Sequence, residues 1–201
     1  AWHMEQFDIA EHMFHKATNS CEKLEASTTE SLADVLYEMG KQLLHKKQHS
    51  LAIKWLRRAL EIINSRHLDE LSIDASNLRI SVIQSLIKAL LSVEDKKLIL
   101  EAQSLLDMLE AEVGDKLVVL LLRLEMLTIP SNDRFDCHAY RDILQRIMRI
   151  AHLTEPNFKL LMFHIRKLND ESPNLARQTI EELINTRILT EGRDEHIEKI
   201  L

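Results

Sequence analysis

The spacing of three small residues constrains this chain more than any other feature. In LYEMGKQLLHKKQHSLAIKWLRRAL (Leu36–Leu60), Leu36, Met39, Gly40 and Leu43 recur at helical spacing. The polar stretch Lys46–Ser50 interrupts the pattern. Leu51, Ala52, Trp55, Leu56, Ala59 and Leu60 then form a second apolar stripe. The chain therefore predicts two amphipathic helices folded back on each other. Gly40 inside a helix costs about 1 kcal/mol relative to Ala, so it needs a packing reason. The spacing places Ala52 opposite it, letting the two axes approach closely. On that geometry Gly40→Ala is expected to be mild and Gly40→Leu to overpack the crossing.

With Ala33 as the first position of a 34-residue unit, Gly40 falls at position eight. Leu36, Met39, Leu43, Ala52, Leu56 and Ala59 take four, seven, eleven, twenty, twenty-four and twenty-seven. That order of large and small side chains is the pattern of a tetratricopeptide repeat (TPR). Trp55 sits beside the core-facing Leu56. It either packs along the hairpin seam or stands on the outer face as a contact for a partner; packing is the expectation.

Composition extends the helical reading to the whole chain. Three Gly, three Pro and 4% aromatics in 201 residues leave little material for tight turns or sheets. A first helix is expected over Met4–Ala17 and a polar linker over Asn19–Thr29, with Thr29 or a neighbouring hydroxyl capping the next helix. A second pair follows from Ser72, carrying Leu86, Ala89 and Leu90, then Leu98, Ala102 and Leu105. Ala102 aligns with Ala52 about fifty residues on, so the repeat is degenerate.

Gly114-Asp115 reads as a stop followed by a cap. Lys116–Thr128 is apolar on nearly every side, as a helix flanked by neighbours would be. A buried strand is the other reading of LVVLLL, and no partner strand is evident. After a loop at Pro130–Asp133, helices are expected around Tyr140–Ile150, after Thr154-Glu155-Pro156, and after Ser172-Pro173, with Gly192 ending the pattern. The fold class is all-α: a TPR-like, right-handed α-solenoid of antiparallel helix pairs, about nine helices in all.

The expected organisation is one helical-repeat segment over 1–201. A leading helix and linker occupy 1–29, the clearest hairpin 30–66, degenerate pairs 67–192 and a tail 193–201. The chain does not begin with Met, which suggests a segment of a longer protein.

Catalytic signatures are missing from the sequence. There is no phosphate-binding glycine loop, no HExxH, no GxSxG and no Cys pair at zinc spacing, so an enzyme is not expected. His12 and His15 share a helical face, but only His3 and Cys21 are near enough to complete a metal site, and solvated histidines explain the pair better. His45 and His49 flank the hairpin turn and read as solvated. Cys21 and Cys137 read as separate reduced thiols. No cofactor is expected. A net charge of −6 with both signs interspersed gives no footprint for nucleic acid or an anionic membrane.

A helical-repeat chain without catalytic residues points to binding other proteins. In a TPR the first helix of each pair lines a concave groove. The positions that would face a ligand are Asp34, Tyr37, Lys41, Leu44 and His45, with Gln84, Ile87 and Leu91 as counterparts in the second pair. Leu36, Met39, Gly40, Leu43, Ala52, Trp55, Leu56 and Ala59 are the residues that pack the repeat. The groove either takes a peptide or helix of a partner or is filled by the chain's own first helix, whose apolar stripe must be covered. A chaperone-type adaptor gripping a terminal carboxylate would need Lys and Asn where Tyr37 and Lys41 stand.

AEHMFHKA (Ala10–Ala17) followed by LYEMGKQLLHKKQHSLAIKWLRRAL resembles the meiotic Spo/Zip-type TPR proteins, whose animal relative is a testis-expressed TPR protein. The matching places are Leu36, Tyr37, Gly40, Leu43, Leu44, Ala52, Trp55, Leu56, Ala59 and Leu60. The likeness is strongest over residues 10–62 and extends to about 130. It implies a nuclear, chromosome-associated scaffold that gathers meiotic crossover factors and promotes crossover formation and synaptonemal complex assembly. A generic TPR adaptor, or the regulatory domain of a larger non-meiotic protein, is the alternative.

Overall fold

A computed structural model describes residues 7–19, 25–65, 71–93, 95–129 and 135–188. Among these the chain is all helix. The elements are α1 (Phe7–Asn19), α2 (Ala26–His45), α3 (His49–Asn64), α4 (Ile73–Leu91), α5 (Lys96–Val113), α6 (Leu117–Leu127), α7 (Cys137–Ile150), α8 (Glu155–Glu171) and α9 (Pro173–Leu183). A single π-helical turn, Ile184–Ile188, follows α9. LVVLLL is thus helix. No helix of the described residues is long and apolar enough to cross a membrane. His3, Cys21, the 130–133 loop, Gly192 and the 193–201 tail lie outside the described residues, as does the expected start of the first helix at Met4.

The chain forms two compact units, Ala1–Ala102 and Gln103–Leu201. In each, helices pack against their neighbours in sequence, the local arrangement of an α-solenoid. The first unit is built on the α2–α3 hairpin. Its turn is a Schellman motif: Gln48 N–H donates to the Leu43 carbonyl and Lys47 N–H to that of Leu44, both at 2.9 Å. The motif requires a left-handed residue, and Lys47 supplies it at φ 58°. Leu36, Leu43, Ala52, Leu56 and Ala59 are buried in the seam.

Gly40 does have a packing reason, but the residue it makes room for is Leu56 rather than Ala52. A Cβ built on Gly40 would stand 2.6 Å from Leu56 Cγ. α4 closes against α3 and touches α2. Ser72 caps it, its Oγ accepting from Ala75 N–H at 3.0 Å, while Glu30 of α2 accepts from the Ser72 N–H and hydroxyl. The buried Arg79 donates to Asn64 Oδ1 at 2.7 Å, fixing α4 to the end of α3.

The caps differ from expectation at several helix ends. Thr29 lies within α2, which already begins at Ala26, and its hydroxyl donates back to the Glu25 carbonyl at 3.1 Å. A hydroxyl satisfied this way no longer signals a helix start. Thr154 and Ser172 stand at the N-caps of α8 and α9 with Pro in the first turn, yet neither hydroxyl makes the capping bond. Asp115 is not a cap either. Gly114 adopts φ 64° and ends α5, while Asp115 takes the guanidinium of Arg146 on α7.

That ion pair belongs to a network joining α5, α6 and α7 in the second unit. Glu110 receives both Arg123 and Arg146, and Arg123 also donates to Asp107 at 2.7 Å. Burial alone would raise the Glu110 carboxyl; the hydrogen bonds from Arg123 and Arg146 outweigh it and hold the group below the usual carboxylate range. Beneath the network, Leu120, Leu124, Leu144, Ile147, Leu161 and Leu168 form one core. Inside it the Tyr140 hydroxyl meets His164 Nδ1 at 2.6 Å. Burial pushes the phenol pKa up. Burial, with the charge of Lys167 second, pushes the imidazole down, so both partners are neutral. Arg187, in the π turn, donates to the carbonyls of Met148, Arg149 and Ala151 and so closes the C-terminus of α7.

Candidate protein-interaction surface

The apolar periodicity of α2 turns one face of the helix into the hairpin and leaves the opposite one to solvent. Asp34 and His45 are exposed along its centre, with Glu38 and Lys41 half-buried between them. Tyr37 and Leu44, half-buried, flank this row on one side, and Val35, 56% exposed, flanks it on the other. Lys41 Nζ lies 2.5 Å from the Glu38 carboxylate and 5.3 Å from the centre of the Tyr37 ring. The bond to Glu38 is the main cause that raises the lysine's pKa. The face thus offers a fixed cation stacked on an aromatic ring, with apolar side chains at both margins.

From α4, Gln84 and Leu91 are half-buried and so remain partly accessible. Ile87 cannot. It is fully buried, because α4 packs that side of the helix into the core, so it does not belong to the ligand-facing set. All eight residues assigned to repeat packing, Leu36, Met39, Gly40, Leu43, Ala52, Trp55, Leu56 and Ala59, are buried.

Among the described residues, α1 meets α3: its Glu11 and Phe14 engage Lys54, Trp55 and Arg58. Trp55 is 1% exposed, its ring met edge-on by Phe14 with centroids 6.1 Å apart. The apolar stripe of α1 is the sequence signal for this contact; it requires that the helix be covered but does not specify by what.

Of the two histidines on one face of α1, His12 is exposed and His15 lies 3.8 Å from Glu11. Among the described residues no three His, Cys, Asp or Glu side chains gather as metal ligands would. Cys137 is a half-buried free thiol. His45 ends α2 in solvent; His49 is half-buried instead, and its Nδ1 has no hydrogen-bond partner among the described residues.

The model of the family described as Meiosis protein SPO22/ZIP4 like matches residues 1–201. The chain belongs to that family. No curated protein and no solved structure matches it. A SPO22/ZIP4-like protein is meiotic, which fits a surface suited to other proteins. Val35, which widens the apolar margin, escapes the repeat register because it falls at none of the ligand-facing positions. Glu38 escapes for the same reason, although the i, i+3 spacing to Lys41 announces their pair.

Proposed function

We propose that this SPO22/ZIP4-like chain is a non-catalytic scaffold of meiotic chromosomes. Its α2 face, in TPR register and joined by Gln84 and Leu91, receives a peptide or helix from a crossover factor. By gathering such factors in the nucleus it supports crossover formation and synaptonemal complex assembly. The observation that carries this reading is the division of labour on α2. Every residue of the packing register is buried, while on the opposite face Asp34 and His45 stay exposed and Tyr37, Lys41 and Leu44 only half-buried. A groove of this mixture suits an amphipathic segment whose acidic group meets Lys41 and whose apolar anchors meet Tyr37 and Leu44.

The test is co-purification of crossover factors from meiotic cells with the protein carrying Tyr37→Ala and Lys41→Glu. Loss of those factors with an unchanged melting temperature is the expected result. A large loss of stability would make the face core, and unchanged recovery would move the partner elsewhere.

A further inference from the structure

We infer that the exposed face of α8, centred on Phe163 and flanked by Lys159, Arg166 and Lys167, docks an acidic amphipathic helix of another protein. α8 carries apolar residues on more than the face its hairpin needs. Leu161, His164, Ile165 and Leu168 are buried, at the same i, i+3, i+4, i+7 spacing that buries Leu36, Met39, Gly40 and Leu43 in α2. With this face α8 packs on α9, as α2 packs on α3. Pro156, Leu160 and Phe163 form a second line outside it, at i, i+4 and i+7. Pro156 is exposed, Leu160 half-buried and Phe163 61% exposed. Burying a phenyl ring is among the larger gains open to a fold, and the hairpin leaves this one unused. The ring is held in place all the same. It meets the His164 imidazole edge-on, with centroids 5.2 Å apart, and the Tyr140 hydroxyl fixes that imidazole in turn. An aromatic so placed loses little freedom when a partner covers it.

The charges around Phe163 select the partner. Lys159 lies one turn before it, Arg166 and Lys167 one turn after. Lys159 shares the carboxylate of Glu155 in an exposed pair, which an incoming carboxylate can enter at little cost. Arg166 and Lys167 have no carboxylate partner among the described residues. The chain has 32 acidic against 26 basic residues, and Arg57, Arg58, Arg123 and Arg146 are all paired within it. Two neighbouring cations left over beside an exposed ring are therefore complementary to carboxylates supplied from outside. Arg166 can hold one through two parallel bonds. A second copy of the chain meeting this face with its own would set like charges against each other. A nucleic acid would meet Glu155 and Asp170 on the same face, and the apolar line offers nothing to a phosphate backbone. A helix with an apolar stripe bordered by carboxylates satisfies the ring and the cations together. This face belongs to the second unit and does not rest on the α2 reading.

The probe is a fluorescent synthetic helix of alanine, leucine and glutamate, its leucines at i, i+3, i+4 and i+7 and its glutamates along both margins. Its anisotropy is followed as the whole chain is added. Phe163→Ser should weaken binding about tenfold or more while leaving the melting temperature unchanged, as for a contact hot spot outside the core. Arg166→Glu with Lys167→Glu should abolish binding of this peptide and create binding of a copy with lysines in place of the glutamates. Tyr37→Ala with Lys41→Glu alters the α2 face instead and should leave the affinity as it was, so the two surfaces fail separately. Absence of binding by the parent chain, binding indifferent to Phe163, or binding lost with the α2 variant would each overturn the inference. So would a melting temperature lowered by Phe163→Ser, a DNA duplex bound as tightly as the peptide, or a dimer of the parent chain that Phe163→Ser dissolves.

Discussion

Leu56 lies so close to Gly40 that a methyl group there would sit 2.6 Å from its Cγ and 2.7 Å from Cδ2. Both residues are buried, so the leucine has no solvent to move into. Replacing Gly40 by Ala gains helix propensity of about 1 kcal/mol but forces this contact apart, and overpacking of a tight core costs about 1–3 kcal/mol. The sequence pattern, with Ala52 opposite, makes Gly40→Ala mild; the Leu56 contact makes it destabilising. Thermal unfolding should show a lower melting temperature for Gly40→Ala. Leu56→Val added to it should lose less than the two single changes together, because the same contact is relieved.

Gly114 is a glycine for a different reason. It has φ 64°, and an added Cβ would meet nothing within 4 Å, so only backbone conformation is at stake. Gly114→Ala should cost about 1 kcal/mol, and no neighbouring substitution should rescue it. Lys47 is the complementary case, an exposed lysine at φ 58° in the position of a Schellman motif that glycine usually fills. Lys47→Gly should raise stability by up to about 1 kcal/mol. A melting temperature that falls on that change would show that the lysine makes contacts outweighing its strain.

What is legible in the sequence follows from the range of the forces involved. Helices and their buried faces come from periodicity, because Leu36, Leu43, Leu56 and their kind report a local repeat. Contacts between distant side chains leave no such trace. Asp115 looks like a cap beside Gly114, yet its partner Arg146 is 31 residues away. Tyr140 and His164 are 24 apart, and each alone reads as an ordinary member of an amphipathic helix. Ile87 fits a ligand-facing position in the repeat, but the closure of α4 buries it. The groove is legible only as a face of one helix; that Glu11 and Phe14 of α1 meet α3 is a contact between distant side chains that periodicity does not report.

Arg187 ties the turn after α9 to the end of α7 by donating to three carbonyls, those of Met148 and Ala151 at 2.8 Å and Arg149 at 3.3 Å. A charged donor at a helix C-terminus also meets the negative end of the helix dipole. Arg187→Ala should cost about 1–3 kcal/mol, the range for charge-assisted bonds. Arg187→Lys should recover only part, since one ammonium cannot span carbonyls that a planar fork reaches together. Hydrogen exchange of the last turn of α7 should accelerate in both variants, more in the first.

The Tyr140–His164 pair makes the second unit sensitive to mild acid. Burial lowers the imidazole pKa below its ordinary value of 6.5, so the folded protein binds this proton less readily than the unfolded chain does. The contribution of a neutral His164 is therefore fully present above pH 6.5 and is lost as pH falls below it toward the folded value. Protonation would place a charge in the buried site beside Tyr140, with Lys167 adding repulsion. Melting temperature measured from pH 8 to pH 5 should decline through this window, and His164→Gln should flatten the decline while lowering stability at neutral pH. Tyr140→Phe should cost about 1–3 kcal/mol at neutral pH by leaving the imidazole without its partner. A His164→Gln protein whose melting temperature falls with pH as steeply as the parent's would place the acid sensitivity elsewhere; Glu110, held below the usual carboxylate range, keeps its contribution throughout this window.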